Sequence, residues 1–256
     1  MNRSYWEALG EDYAAEIFSV IGHDQKHAIA AHVEHWADSA KTAADLGCGP
    51  GQTLDLLGRN FGTVHACDWS PALLDQARKI AADLPSVAIH EFDLAADAPP
   101  PFDPVSFALC LNVIIMPDAE VRERVWRTVT NLISADGRLL LVLPSHESAL
   151  YTGFRRMDWN LRAGLGGTEA EEKSHEPTAS PAAKEQGVRP IDGTLTKHYL
   201  REEIEVQLRD HGFNHLKIEK LPYSWKTEFD DPPDWMELVG AGLPLEGVTL
   251  EGVRSF

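Results

Sequence analysis

Residues 43–53 read Ala43-Ala44-Asp45-Leu46-Gly47-Cys48-Gly49-Pro50-Gly51-Gln52-Thr53. An apolar strand start runs into three glycines on alternate positions, then into Thr53-Leu54-Asp55-Leu56-Leu57, which reads as a helix. Glycine adopts positive φ without strain, so the turn is sharp and its backbone can approach a ligand. A strand, a tight glycine turn and a helix N-terminus form a nucleotide-type crevice in a parallel α/β sheet. A dinucleotide fingerprint requires G-x-G-x-x-G with room for a pyrophosphate. Here the pattern is G-x-G-x-G, with Asp45 two positions ahead of the first glycine. A carboxylate repels phosphate but suits a ligand carrying ammonium or sulfonium charge.

Around this centre the chain alternates strands and helices. Thr63 to Asp68 is a short strand ending in an acid, and Ser70 with Pro71 is a helix start. Val87 to Phe92 is a third strand, followed by Asp93-Leu94, and Pro99-Pro100-Pro101 marks a loop. Val105 to Leu111 is a continuous apolar run, as for a strand buried on both faces. A helix over 118–134 and a turn at Asp136-Gly137 lead to a fifth strand, Arg138 to Leu143. Five βα units in this order predict a doubly wound, mostly parallel sheet flanked by helices.

The stretch Asp45-Leu46-Gly47-Cys48-Gly49-Pro50-Gly51 resembles the first motif of class I S-adenosylmethionine-dependent methyltransferases: the acid and all three glycines match. The resemblance runs from about residue 40 to 145 and implies a Rossmann-like fold with a seven-stranded sheet and S-adenosylmethionine as cofactor. It places Asp45, Gly47, Cys48, Gly49 and Gly51 in the cofactor loop. Asp68 lies 21 positions beyond Gly47 (68 − 47), near the spacing of about 20 at which a carboxylate meets a ribose diol. The family has its ribose-binding acid there, with Trp69 beside the adenine. Asp93 and Leu94 correspond to the acid and apolar neighbour that hold the adenine ring. Asn112, leaving strand four, borders the methyl-transfer site, and Tyr13, in a leading helix, is the candidate to lie over the cofactor.

The rest of the chain bounds the class of protein. At 256 residues it reads as one methyltransferase domain over 1–256, with a helical cap at about 1–40 and a cofactor-binding core at about 41–145. Net charge of −17 argues against nucleic acid and anionic membranes as partners. Cys48, Cys67 and Cys110 have no metal-ligand spacing and read as reduced, buried thiols in a cytoplasmic protein. The N-terminus mixes Arg3, Glu7, Glu11 and Asp12 with apolar residues, unlike a signal peptide, and no run reaches the length of a membrane span. Residues 4–21 and 24–38 read as helices; His23, His27, His32 and His35 in or beside the second read as a solvated face, not a metal site.

On the acceptor side, Ile115 and Met116 suggest an apolar wall, and no Asn-Pro-Pro-Tyr-like signature is present. Tyr151, Trp159, Tyr199 and Trp225 are candidates to line a pocket for a small molecule. His146, after strand five, and His198, before the last long helix, are candidate general bases. Residues 164–190 are rich in Gly, Glu, Ser, Ala and Pro and read as a lid-like or flexible insertion. A helix ending at Gly212 and a strand at Leu216 to Lys220 follow, and residues 231–256 carry no readable pattern. The expected activity is methyl transfer to a small acceptor. The alternatives are other chemistry with the same cofactor, such as aminopropyl transfer, and a binding module without turnover. The missing dinucleotide spacing argues against a dehydrogenase.

Overall fold

A computed structural model describes residues 19–24, 26–174, 180–191, 194–222 and 246–254. Helices α1 (Val20–His23) and α2 (Ala28–His35) precede strand β1 (Asp38–Leu46). Helix α3 (Leu54–Asn60), strand β2 (Phe61–Asp68), helix α4 (Pro71–Ala81) and strand β3 (Val87–Glu91) follow. Next come β4 (Val105–Leu111), α5 (Ala119–Asn131), β5 (Ile133–Pro144) and α6 (His146–Arg162). The last part holds α7 (Gly167–Ser174), α8 (Pro181–Glu185), β6 (Val188–Ile191), β7 (Thr194–Lys197), α9 (Arg201–Asp210), β8 (Phe213–Pro222) and β9 (Glu246–Arg254).

The main sheet has the order β3-β2-β1-β4-β5-β9-β8, and β6 with β7 forms a separate antiparallel pair. Strands β1 to β5 are mutually parallel. Strand β9 runs antiparallel to both β5 and β8, so β8 points the same way as the first five. The order reverses between β1 and β4, which is where an open α/β sheet leaves a crevice at its carboxyl edge.

Strand β5 shows why the sheet is covered twice. Leu139, Leu141 and Leu143 enter one core with Val125, Trp126 and Val129 of α5 and Ile204 and Leu208 of α9. Leu140 and Val142 enter the other, with Ile29 and Val33 of α2 and Leu57 of α3. Alternate side chains leave a strand on opposite faces, so an unbroken apolar run feeds two layers. Helices α4, α5 and α6 begin at side-chain caps: Ser70, Asp118 and Ser145 each accept from a backbone amide three residues on.

Four expectations differ. Helix α5 ends at Asn131, and β5 already starts at Ile133, with Asp136-Gly137 inside an irregular stretch of the strand. A Cβ on Gly137 would stand 2.9 Å from the Val105 carbonyl oxygen, so glycine lets β5 lie flat there. Residues 164–190 contain α7, α8 and β6; buried Ala170 anchors α7, and Asn160 Nδ2 donates to Ser174 Oγ at 2.9 Å. His32 is turned to the Glu219 carboxylate of β8, 3.1 Å away, and not to solvent. Within the unread tail, β9 is an interior strand of the sheet. Among the described residues no group of side chains is arranged to hold a metal, and no helix is long and apolar enough to cross a membrane.

Candidate active site

At the carboxyl edge, β1 ends at Leu46 and the chain turns through Gly47, Gly49 and Gly51, with φ of +78°, +51° and +91°. Gly47 N and Cys48 N both donate to the Cys67 carbonyl, at 2.8 and 2.9 Å, which ties the turn to β2. A Cβ on Gly47 would stand 2.3 Å from Val113 Cγ2, and one on Gly51 3.1 Å from the α4 backbone at Ala77. The glycines therefore meet both a conformational and a spatial demand.

Two carboxylates close this loop. Asp68, at the end of β2, accepts from Gly49 N at 3.0 Å on one oxygen and from Ser70 N at 2.9 Å on the other. Asp45, only 2% exposed, accepts from the Thr53 hydroxyl. That hydroxyl is thereby diverted from capping α3, whose N-terminus has no side-chain cap. Burial pushes the Asp45 carboxyl up to about 7, with the Thr53 bond opposing and the Asp68 charge adding to the rise. Burial also raises Asp68, against its bonds to the Ser70, Gly49 and Trp69 amides. Among the described residues, no Lys, Arg or His forms an ion pair with either.

The adenine-side candidates lie close by along the edge. Phe92 N donates to the Asp68 carbonyl at 2.9 Å, which brings the end of β3 alongside β2. Asp93 turns the chain, its Oδ1 accepting from Ala95 N at 2.8 Å, and Leu94 is buried beside Phe92. Trp69 is half-buried.

Residues 112–117 form the opposite wall. Asn112 takes a left-handed φ of +52°, which asparagine tolerates better than most, and turns Val113 back onto Gly47. Every carbonyl from Ile114 to Pro117 then meets a donor. Ile114 accepts from the Tyr199 hydroxyl at 2.6 Å and Ile115 from Lys197 N at 2.8 Å. Met116 and Pro117 both accept from Arg122 Nη1 at 2.7 Å. Ile115 is buried and Met116 half-buried, both packed with the core that α5 and α9 cover.

Lys197, the last residue of β7, and Tyr199, two residues on, supply two of those donors. Tyr199 N donates to the Pro144 carbonyl and its own carbonyl accepts from His146 N, both at 2.9 Å. The Lys197 ammonium bonds the Glu203 carboxylate and the Gln186 carbonyl, each at 2.7 Å, and lies 4.7 Å from the centre of the Tyr199 ring. His146, the first residue of α6, is half-buried, and its Nδ1 is enclosed with no hydrogen-bond partner. Burial first, then Arg189 and Lys197, lower its pKa, so the ring is neutral at pH 7.

Several acceptor-side expectations need correction. Tyr199 is 1% exposed and bonded through its hydroxyl, so it braces the wall from within the core and does not line a pocket. His198 is 6% exposed with Nδ1 3.2 Å from the Thr196 carbonyl oxygen, and is packed into the strand pair. Tyr151 and Trp159 are half-buried on α6, where Tyr151 stacks on Phe154. Tyr13 and Trp225 lie outside the described residues. Thr53, Val113, Arg122 and Lys197 carry no signal of their own in the sequence: Val113 and the Lys197 amide act on segments distant in the chain, and Thr53 and Arg122 reach back across a turn. The β6–β7 pair does have a local signal: Asp192-Gly193 between two short runs is a hairpin spacing.

Residues 44–139 match the model of a family described as a methyltransferase domain. Over that span the chain is similar to a methyltransferase domain. Every cofactor-side candidate from Asp45 to Asn112 falls inside the matched span, while His146 and the β6–β7 pair lie beyond it. Among solved structures, magnesium protoporphyrin IX methyltransferase from Synechocystis with bound S-adenosylmethionine is 16% identical with a TM-score of 0.61, covering 99% of this chain and 95% of that one. An N-methyltransferase from Bradyrhizobium japonicum in complex with S-adenosylhomocysteine is 7% identical with a TM-score of 0.60, over 98% and 97% of the two chains. A Haloferax volcanii complex of the Trm112 methyltransferase activator with a methyltransferase also matches, at 15% identity and a TM-score of 0.62, over 98% of both chains. At such identities the likeness is one of fold. No curated protein matches the chain.

Proposed function

We propose that this protein is an S-adenosylmethionine-dependent methyltransferase acting on a small-molecule acceptor. The observation that carries the reading is the glycine loop, closed by two buried carboxylates that have no cationic side chain as partner among the described residues. Such a cradle rejects pyrophosphate and fits a ligand bringing its own positive charge. The presence of that cofactor, or its demethylated product, in solved proteins of the same fold supports it. When bound, the cofactor supplies a methyl group already made electrophilic by its sulfonium.

The residues of the chain then bind, orient and exclude water. Gly47 to Gly51 admit the ligand to the backbone, Asp68 holds the ribose hydroxyls, and Asp93 and Leu94 flank the adenine with Trp69. The pinned segment from Asn112 to Pro117 gives the acceptor a fixed apolar wall through Ile115 and Met116. Alignment of this kind can supply about 7–11 kcal/mol of a barrier. For a hydroxyl or carbon acid, neutral His146 takes the acceptor proton at Nε2. The net charge of −17 disfavours nucleic acid as the acceptor, which supports a small one.

Calorimetry should register binding of S-adenosylmethionine and S-adenosylhomocysteine but not of NAD; binding of NAD alone would overturn the reading. With such an acceptor, His146→Ala should lower turnover by about 10²–10⁴, the span of a general base. Its lowered pKa puts the acidic limb of the wild-type profile below 6.5, and that limb should vanish in the variant. Undiminished turnover with an unchanged profile would leave alignment alone and favour a thiol or amine acceptor.

A further inference from the structure

Asp45 is a buried carboxyl group beside the glycine loop, and among the described residues no cationic side chain pairs with it. Thr53, ahead of α3, faces it with a neutral hydroxyl, and Asp68 of β2 faces it with a second acid. Among the described residues, Cys48 of the loop, Cys67 of β2 and Cys110 of β4 are the other titratable neighbours. Burial raises all three thiols, which therefore stay protonated near neutrality and offer no compensation. An isolated buried carboxylate is costly, and such a group takes up a proton instead.

We infer that the cofactor-free site stores a proton on Asp45 and releases it when the positive charge of the ligand arrives. The inference rests on the cofactor reading above and adds that binding is an exchange of one cation for another. The proton leaves the Asp45 carboxyl for the buffer, and the resulting carboxylate is balanced by the ligand, so no net charge is buried. Affinity is then set partly by pH: protons compete with the cofactor in acid and cease to compete above neutrality. The raised pKa, about 7, puts the competition in the physiological range.

Titration calorimetry of the full chain with S-adenosylmethionine, in phosphate and in Tris at one pH, counts the protons released. Wild type at pH 7 should release about half a proton per ligand, and affinity should rise about fivefold from pH 6 to pH 7, as linkage to a group titrating near 7 requires. Asp45→Asn should abolish both effects. Thr53→Val, which removes only the hydroxyl that favours the ionised acid, should move the midpoint of proton release upward, and it serves as the test if Asp45→Asn does not fold. Binding without proton release, or release that persists in Asp45→Asn, would overturn the exchange and leave the cofactor reading intact. No binding at any pH would overturn the cofactor reading itself.

Discussion

At the scale of single residues, Gly47 carries two constraints that can be separated. Its φ of +78° is unfavourable for any residue with a Cβ, and that Cβ would strike Val113 at 2.3 Å. The conformational part alone should cost about 1–2 kcal/mol in Gly47→Ala, with the contact adding to it. Combining Gly47→Ala with Val113→Ala should recover the contact part only, which a double-mutant cycle on thermal unfolding would measure. Full recovery would mean that the backbone of the turn had been misjudged. The acid and the glycines were legible because each is required by its own local conformation or charge. Thr53 was not, since nothing in the neighbouring sequence says that its hydroxyl turns back to Asp45 and leaves α3 uncapped.

For the elements, the unit that matters is the segment from Asn112 to Pro117, because its rigidity is borrowed from elsewhere. Tyr199→Phe should leave the Ile114 carbonyl without its donor and cost about 1–3 kcal/mol, the usual penalty for a buried group left unpaired. Hydrogen exchange should quicken across residues 112–117 and at the amide of His146, which bonds the Tyr199 carbonyl. An unchanged melting temperature and exchange pattern would show that the hydroxyl bond is dispensable. Apolar runs and caps made β1 to β5 and α4 readable. The β6–β7 pair escaped notice because its strands are four residues long, one contains Pro190, and their value lies in docking on β4 and β5.

Over the whole molecule, the buried acids give stability a pH dependence of unusual sign. Asp45 holds its proton more tightly folded than unfolded, so the native state binds more protons between the ordinary carboxylate range and about 7. Stability from this group is present in acid and is lost as pH rises through that window. His65, His90 and His146 have lowered values and act in the opposite direction below 6.5. The difference in Tm between cofactor-free Asp45→Asn and wild type isolates the carboxyl, and it should grow in favour of the variant from pH 5 to pH 8; a constant difference would contradict the placement of Asp45. The doubly wound half of the fold was visible because each βα unit repeats the same pattern. On the other side the edge strand β8 was read at Leu216 to Lys220, but β9 was not, because it follows a stretch without periodicity and takes its place through pairing alone.

That placement of β9 dictates an order of assembly. Strand β8 precedes β9 in the chain, yet it reaches the sheet only through β9, which lies between it and β5. As the chain emerges during synthesis, β5 therefore presents an open hydrogen-bonding edge while β8 waits without its partner. An exposed edge is a template for pairing with another copy. The interval before β9 closes the gap is thus when the nascent protein is most prone to aggregate, however stable the finished sheet becomes.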